Sequence, residues 1–288
     1  MVVMQNKCGQ LGNRLTIFSH FIAGAMEHGY RLYNPTFDEY CRYFPATRQD
    51  DFRPWPISVG GRGRLSAAAF ERLTYFAGKV LPRSPWHAFI RWRGTVPAFD
   101  LGDPAFVALA RTRTVLVFGW MFRDVPCLLR HAAEVRRFFT PDTEVMDRLR
   151  RLADDCRRDA DVLVGVHIRR GDYRSAKHNR YCYEDAVYCA KMEQAAALLA
   201  GSNRRVRFLG CSNEPLDFAN YPGLAITRGP GSALEDMYAL AQCDCILGPP
   251  STFSGWASFY GWKPLCWIED PARPLTHEDF RLELRDPL

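Results

Sequence analysis

Residues 162–173 read VLVGVHIRRGDY. Five apolar residues in succession, Val162-Leu163-Val164-Gly165-Val166, predict a strand covered on both faces, because a strand with one wet face would alternate. A histidine, two arginines, Gly171 and Asp172 follow at once. Polar groups at the carboxyl end of such a strand stand where open α/β sheets bind their ligands. Side chains alternate along an extended strand end, so His167 and Arg169 are expected to share a cleft and Arg170 to pair elsewhere. A guanidinium fork fits a phosphate bidentately, each charge-assisted bond contributing about 1.5–3 kcal/mol. Gly171 permits a sharp turn, and Asp172 can hold an arginine or serve as an acid–base group. The competing account, a structural ion pair of Arg169 or Arg170 with Asp172, leaves His167 unexplained. Arg170-Gly171-Asp172 also spells an adhesion tripeptide, a chance match beside a buried strand.

The chain around this stretch alternates strands and helices. Downstream, a helix near 183–200 stops at Gly201, and strands are expected at Val206–Leu209, Leu224–Thr227, Cys245–Leu247 and Pro264–Ile268. Ser232 to Glu235 forms a capping box that opens a helix to about Gln242, and a further helix follows Ser251. Upstream, Val2–Met4 reads as a strand, Gly9 to Asn13 as a loop, and Leu15, Phe18, Ile22, Ala25 and Met26 as one helix face ended by Gly29. Residues 34–64 are rich in aromatics, Pro and Arg without a period, and read as loop and short elements. Val115–Phe118 is another buried strand. A helix near 141–158 is expected with Thr140 as cap, Pro141 at its first position and Val145, Leu149, Leu152 and Cys156 facing inward. Arg157-Arg158-Asp159 reads as an exposed connection, placing a domain boundary between 1–158 and 159–288. This order implies parallel strands joined by right-handed crossovers.

Three further loops fall at strand ends. Gly9 and Gly12 flank a turn at a helix start, where backbone N–H groups and the helix dipole can meet an anion. By itself such a turn more often just packs a helix. Ser212, in Cys211-Ser212-Asn213-Glu214-Pro215, can read a base or ribose or simply form a turn before Pro215. Ser251 and Thr252 can cap the helix that follows, and their hydroxyls with its free N–H groups can also cradle a phosphate. Asp236 lies in the first turn opened by Ser232. There a carboxylate complements the dipole, or accepts two parallel bonds from the N1–H and N2–H₂ edge of a guanine.

Bulk properties remove whole classes of function. The 288 residues are 47% hydrophobic and 24% charged, which is ordinary globular composition and suggests two domains. Net charge is +6 with no basic run interleaved with aromatics, so nucleic acid is not expected as a partner. Ten cysteines include no CxxC pair, and Cys243 and Cys245 have no accompanying histidine; zinc spacing is absent, and free, mostly buried thiols are expected. No segment reaches membrane-spanning length, so a cytoplasmic protein is expected, with peripheral attachment to the inner membrane left open.

Together the loops resemble the HxRxGD fucosyltransferase superfamily, most nearly the bacterial α-1,2-fucosyltransferases of glycosyltransferase family 11. Gly9-Gln10-Leu11-Gly12-Asn13-Arg14 is similar to the GxxGNx opening loop, and His167–Tyr173 to the HxRRGDY form. Ser251-Thr252-Phe253-Ser254-Gly255-Trp256-Ala257 resembles the SSFSWW segment, with Gly255 where a Trp is usual. Ser212-Asn213-Glu214 departs from an SDD-like element, and residues 34–110 have no counterpart, which leaves the acceptor half undefined.

The resemblance implies an α/β fold of the GT-B type, with two facing Rossmann-like domains and parallel sheets. The N-terminal one would be acceptor-side and the C-terminal one would bind the donor nucleotide. It implies an inverting, metal-independent fucosyltransferase that uses GDP-fucose as donor, no cofactor, and a glycan acceptor in surface-glycan synthesis. Arg169 would stabilise the departing diphosphate, assisted by Ser251, Thr252 and the Gly9–Gly12 backbone. His167 and Asp236 would contact guanosine, Asn13 the diphosphate or fucose, and Ser212, Phe253 and Ser254 would complete the donor site. Asp172 is the motif's candidate base, with Glu184 and His178 as rivals. Transfer in α-1,6 linkage to a chitooligosaccharide, or GDP-sugar binding without catalysis, are the alternatives.

Overall fold

The computed structural model describes residues 1–60, 69, 72, 74, 76, 86–92, 97–175, 179–201 and 203–282, the side chains of Asp172 and Ser175 excepted. It divides into two compact units, Met1–Asp142 and Thr143–Leu288. Each is built on a five-stranded parallel sheet. The expected α/β class with parallel sheets in two groups is therefore observed.

The first unit contains β1 (Val2–Met4), β2 (Leu32–Tyr33), β3 (Ile57–Ser58), β4 (His87–Arg91) and β6 (Thr114–Phe118), in spatial order β3-β2-β1-β6-β4. A small parallel pair, β5 (Phe99–Asp100) and β7 (Phe122–Arg123), accompanies it. The helix Leu11–His28 follows β1 and ends at Gly29, whose left-handed φ of 70° lets its N–H reach Ala25 O. Residues 34–60 contribute one aromatic at a time. Phe37 sits in a 3₁₀ turn, Phe44 precedes the short helix Pro45–Gln49, and Phe52 follows it; all three are fully buried. Phe37 and Phe44 each pack on Phe139, and Phe52 lies 4.9 Å from Phe138. Each such ring contributes about 1.5–3 kcal/mol by burial. Irregular backbone with isolated anchors explains why no period is visible there.

The second unit contains β8 (Val162–Ile168), β9 (Val206–Ser212), β10 (Ile226–Arg228), β11 (Cys245–Gly248) and β12 (Leu265–Trp267), in order β10-β9-β8-β11-β12. All seven residues of β8 are buried, as a central strand with both faces covered requires. Two strands run beyond their expected ends. β8 continues through His167 and Ile168, and β9 through Cys211 and Ser212, because these residues pair with one another.

The helix Thr143–Arg157 belongs to this second unit, so the division falls one helix earlier than the sequence suggests. Its buried stripe is Met146, Leu149, Ala153 and Cys156, turned from the expected one so that Val145 and Leu152 are only half-buried. This face packs on β8 and on the helix Ala233–Leu240. Arg157, read from the sequence as part of an exposed connection, donates to Gln242 O and Asp244 at 2.8 Å each. The helix begins at Thr143, two positions past the expected Pro141, and the Thr140 hydroxyl donates to Arg136 O in the preceding helix. All ten cysteines are free and most are buried. Among the described residues no helix is long and apolar enough to cross a membrane.

Candidate functional site

In each sheet the strand order reverses beside the first strand, and ligands of open α/β sheets bind at that reversal, beyond the carboxyl ends. In the second unit the reversal lies between β8 and β11, where the loops after Ile168 and Gly248 emerge. His167 closes this part of β8, almost fully buried, with its ring stacked on Phe253 at 4.7 Å and 26°. The contact depends on Gly248, since a Cβ there would lie 2.8 Å from His167 O and 2.9 Å from its Cβ.

Arg169 is fixed from three directions. Its backbone N–H donates to Tyr188 Oη at 3.3 Å, and its Nη1 donates to Ser251 Oγ at 3.1 Å. Its Cζ lies 4.5 Å from the ring centroid of Tyr173, whose hydroxyl donates to Pro250 O at 3.0 Å. Tyr173 therefore ties the guanidinium to the loop that carries Ser251, a cation–π contact contributing about 0.5–1 kcal/mol even when exposed. Ser251 is the N-cap of the helix Thr252–Gly261, its Oγ accepting from Phe253 N at 3.2 Å. A guanidinium and a helix N-terminus so converge on one serine, an arrangement suited to an anion. Thr252 occupies the first helical position, half-buried. Ser254 is completely buried, donating to Ser251 O and accepting from Trp267 Nε1; it braces the loop from behind.

Arg170 faces different partners. Its guanidinium pairs with Asp185, and its Nε donates to Tyr183 O at 3.1 Å. Burial pushes the Asp185 carboxyl up, but bonds from Arg170, Tyr221 and Asn220 outweigh it and hold the group below its ordinary range. Asn213 clamps the intervening backbone, its Oδ1 accepting from Arg170 N–H at 3.1 Å. Gly171 exists for this clamp: a Cβ there would sit 2.4 Å from Asn213 Nδ2, and its φ is not left-handed. Asp172 lies in the helical turn Gly171–Ser175 that follows, but its side chain lies outside the described residues, as does all of His178. Glu184 is exposed and immediately precedes the helix Asp185–Ala200.

Asn213 also borders a cavity of about 270 Å³ whose lining includes Ser212, Leu216, Arg228, Gly229 and Asp236. Ser232 caps the helix Ala233–Leu240 as the capping box predicts, and so sets Asp236 at the cavity. Asp236 accepts from Gly231 N–H at 2.7 Å, and burial raises its carboxyl to about 6. Gly229 leaves room behind it, since a Cβ would lie 2.6 Å from Cys211 Sγ and 3.1 Å from Asp236 Oδ1. Arg228 donates to Leu216 O at 2.7 Å and packs over Phe218 to form a wall.

Gly9, Gly12 and Asn13 belong to the first unit. Gly9 has φ +59°, and Asn13 folds over it so closely that a Cβ would lie 2.1 Å from Asn13 Nδ2. Gly12 is buried in the first turn of the helix, whose N-cap Gln10 makes no side-chain cap bond. Arg14 secures the loop, donating to Gly9 O at 3.1 Å while pairing with Glu39 at 2.8 Å and lying over Tyr40.

Tertiary structure brings His167, Arg169, Ser251 and Phe253 together, and joins them through Asn213 to the Ser212–Asp236 cavity. Tyr173, Tyr188, Asn213, Arg228 and Arg14 were not singled out from the sequence. Only Tyr173 carried a local signal, four residues beyond Arg169 as in one helical turn. Glu27, Cys127 and His131 in the first unit could present ligand atoms to a metal. There His131 and Arg130 already share the Glu27 carboxylate, at 2.7 and 2.9 Å, so its oxygens are taken up by side-chain contacts.

Residues 131–264, just under half of the chain, match the model of glycosyl transferase family 11. No curated protein sequence matches. Among solved structures, an Arabidopsis thaliana FUT1 mutant in complex with GDP superposes with a TM-score of 0.59 at 15% identity, covering 94% of this chain and 71% of that one. NodZ alpha-1,6-fucosyltransferase soaked with GDP-fucose gives 0.56 at 15% identity, covering 94% and 97%. POFUT1 in complex with GDP-fucose gives 0.54 at 10% identity, covering 90% and 93%. The expected resemblance to glycosyltransferase family 11 is met by this match, which takes in the His167–Tyr173 and Ser251–Ala257 segments, and the expected fold is met by the superpositions.

Proposed function

We propose that this chain, a glycosyltransferase by its family match and fucosyltransferase-like fold, transfers fucose from GDP-fucose to a hydroxyl of a glycan acceptor. The observation that carries the proposal is the convergence of Arg169 and the helix capped by Ser251, with the Asp236 cavity joined to it through Asn213. A nucleoside diphosphate has the matching parts: a purine edge for Asp236 and two phosphates for the cation and helix N-terminus. The 270 Å³ cavity suits a nucleoside moiety, with Ser212 at the ribose side.

In this reaction an acceptor oxygen attacks the anomeric carbon from the face opposite the leaving group. The bond from that carbon to the diphosphate oxygen breaks, and its electron pair departs with GDP. Arg169 and the helix N-terminus stabilise charge that develops only as the bond breaks, which is where binding accelerates a reaction. The acceptor proton passes to a base, for which Asp172 is the candidate. The α-1,2 linkage, inversion and independence of metal belong to the same proposal, as does an acceptor-side role for the first unit. No nucleic acid takes part, and peripheral membrane attachment is compatible with the absence of a spanning helix among the described residues.

The test is GDP-fucose turnover with EDTA present, set against GDP-mannose, followed by linkage analysis of the product. Turnover of GDP-fucose alone, unaffected by EDTA, is expected. EDTA-sensitive turnover would contradict the metal-free mechanism, and GDP binding without turnover against any glycan would make the chain a binding protein. An α-1,6 product on a chitooligosaccharide would replace the linkage and keep the rest.

A further inference from the structure

The reversal point of the first sheet carries a second cavity, of about 480 Å³, lined by Asn6, Cys8, Gly9, Asn13, Trp92, Phe118, Gly119 and Trp120. These residues follow the carboxyl ends of β1, β4 and β6. Its described lining differs in kind from that of the Asp236 cavity. It holds two indoles, a phenyl ring and two carboxamides, and no charged side chain.

The indoles are built into place. Gly119 has φ +136°, and a Cβ there would lie 2.1 Å from Trp92 O, so only glycine lets the ends of β4 and β6 meet this closely. The Gly119 peptide is held on both sides: its N–H donates to Asn6 Oδ1 at 2.9 Å, and its carbonyl accepts from Cys8 Sγ at 3.1 Å. Trp92 donates its backbone N–H to Phe118 O at 2.8 Å and its indole N–H to Pro97 O at 3.2 Å. Arg123 lies over the Trp120 ring with its Cζ 5.1 Å from the centroid, and donates to Trp120 O at 2.7 Å.

From this lining we infer that the first unit binds the acceptor through Trp92 and Trp120, which take the apolar face of a neutral pyranose. A sugar ring presents C–H groups on one face and hydroxyls around its rim. Flat aromatic surface takes the first, and a carboxamide such as that of Asn6, which both donates and accepts, takes the second. A phosphate, sulfate or carboxylate would find no cation among the described lining residues. The inference rests on the fucosyl-transfer proposal only for calling the bound sugar an acceptor; the binding itself stands on the cavity. It also gives the aromatic-rich first unit a ligand distinct from the nucleotide.

The test is binding of the wild type, Trp92→Ala and Trp120→Ala to an array of neutral, sialylated and sulfated oligosaccharides, with GDP affinity measured in parallel by calorimetry. Neutral oligosaccharides should bind the wild type, and each alanine variant should weaken that binding by about tenfold or more while GDP affinity stays unchanged. Trp→Phe at either site should recover part of the loss, and thermal melts of all variants exclude unfolding as its cause. Unchanged glycan binding in both alanine variants, a preference for anionic glycans, or no neutral glycan bound by the wild type would each overturn the inference. Failure of the fucosyl-transfer proposal has another signature: intact, tryptophan-dependent glycan binding without GDP binding or turnover.

Discussion

The two cavities lie at carboxyl strand ends of two similar sheets, one at the β1/β6 reversal and the other beyond β9 and β10, and they differ in almost every chemical respect. The one in the second unit is about 270 Å³, holds Asp236 and Arg228, and is joined through Asn213 to Arg169 and the Ser251 helix. The one in the first unit is about 480 Å³ and is lined by indoles and amides. Both are held in shape by a glycine against a neighbouring group, Gly171 against Asn213 and Gly119 against the Trp92 carbonyl. Topology therefore fixes where a ligand can sit, and the loop side chains decide which ligand it is.

Substitutions that affect one region and spare the other test this difference. The largest effect is expected at Arg169. Arg169→Lys should lose about a hundredfold or more in kcat, because an ammonium cannot reproduce the planar fork or its stacking on Tyr173. Near-normal turnover in that variant would remove Arg169 from the assignment.

Next comes Gly119→Ala, a change outside the nucleotide region. It forces a Cβ against Trp92 O and a left-handed φ on alanine, and should cost about 2–3 kcal/mol of stability by thermal or denaturant melts. GDP affinity of the folded fraction should be unchanged; a matching fall in GDP affinity would show that the two sites are not separable.

The smallest effect is graded by pH. Burial holds the Asp236 carboxyl at about 6, above its ordinary value. Only the ionised form accepts two bonds from a guanine edge, so GDP affinity should fall by about tenfold per unit as pH drops below 6. Stability of the unliganded protein should run the other way. A carboxyl raised on folding stabilises the fold below its unfolded pKa, and that contribution is lost as pH rises through about 6. Asp236→Asn should flatten both profiles, and a GDP affinity still falling below pH 6 in that variant would assign the dependence elsewhere.

Legibility from sequence followed locality. The buried strand β8 was readable because five apolar or small residues, Val162 to Val166, run together there, and the Ser232 box because its atoms are three residues apart. The extension of β8 to Ile168 was not, because it depends on β9 offering Ser212 as a partner. Gly171 looked like a turn residue, yet its constraint is Asn213, a loop away. Trp92 and Trp120 lay in stretches without a period, where isolated aromatics leave no pattern to read.

By itself the sequence determined the alternation of strands and helices, the two-sheet α/β class and the position of the His167–Tyr173 segment at a strand end. Hydrophobic periodicity, caps and strand-end polarity are local properties and need no partner. Tertiary structure alone decided that Arg169 meets Ser251 while Arg170 meets Asp185, and that Asn213 links the arginine segment to the Asp236 cavity. It also decided that two tryptophans from separate strand ends line one pocket. These contacts join residues up to 82 positions apart, and only the parallel register that brings strand ends together makes them neighbours.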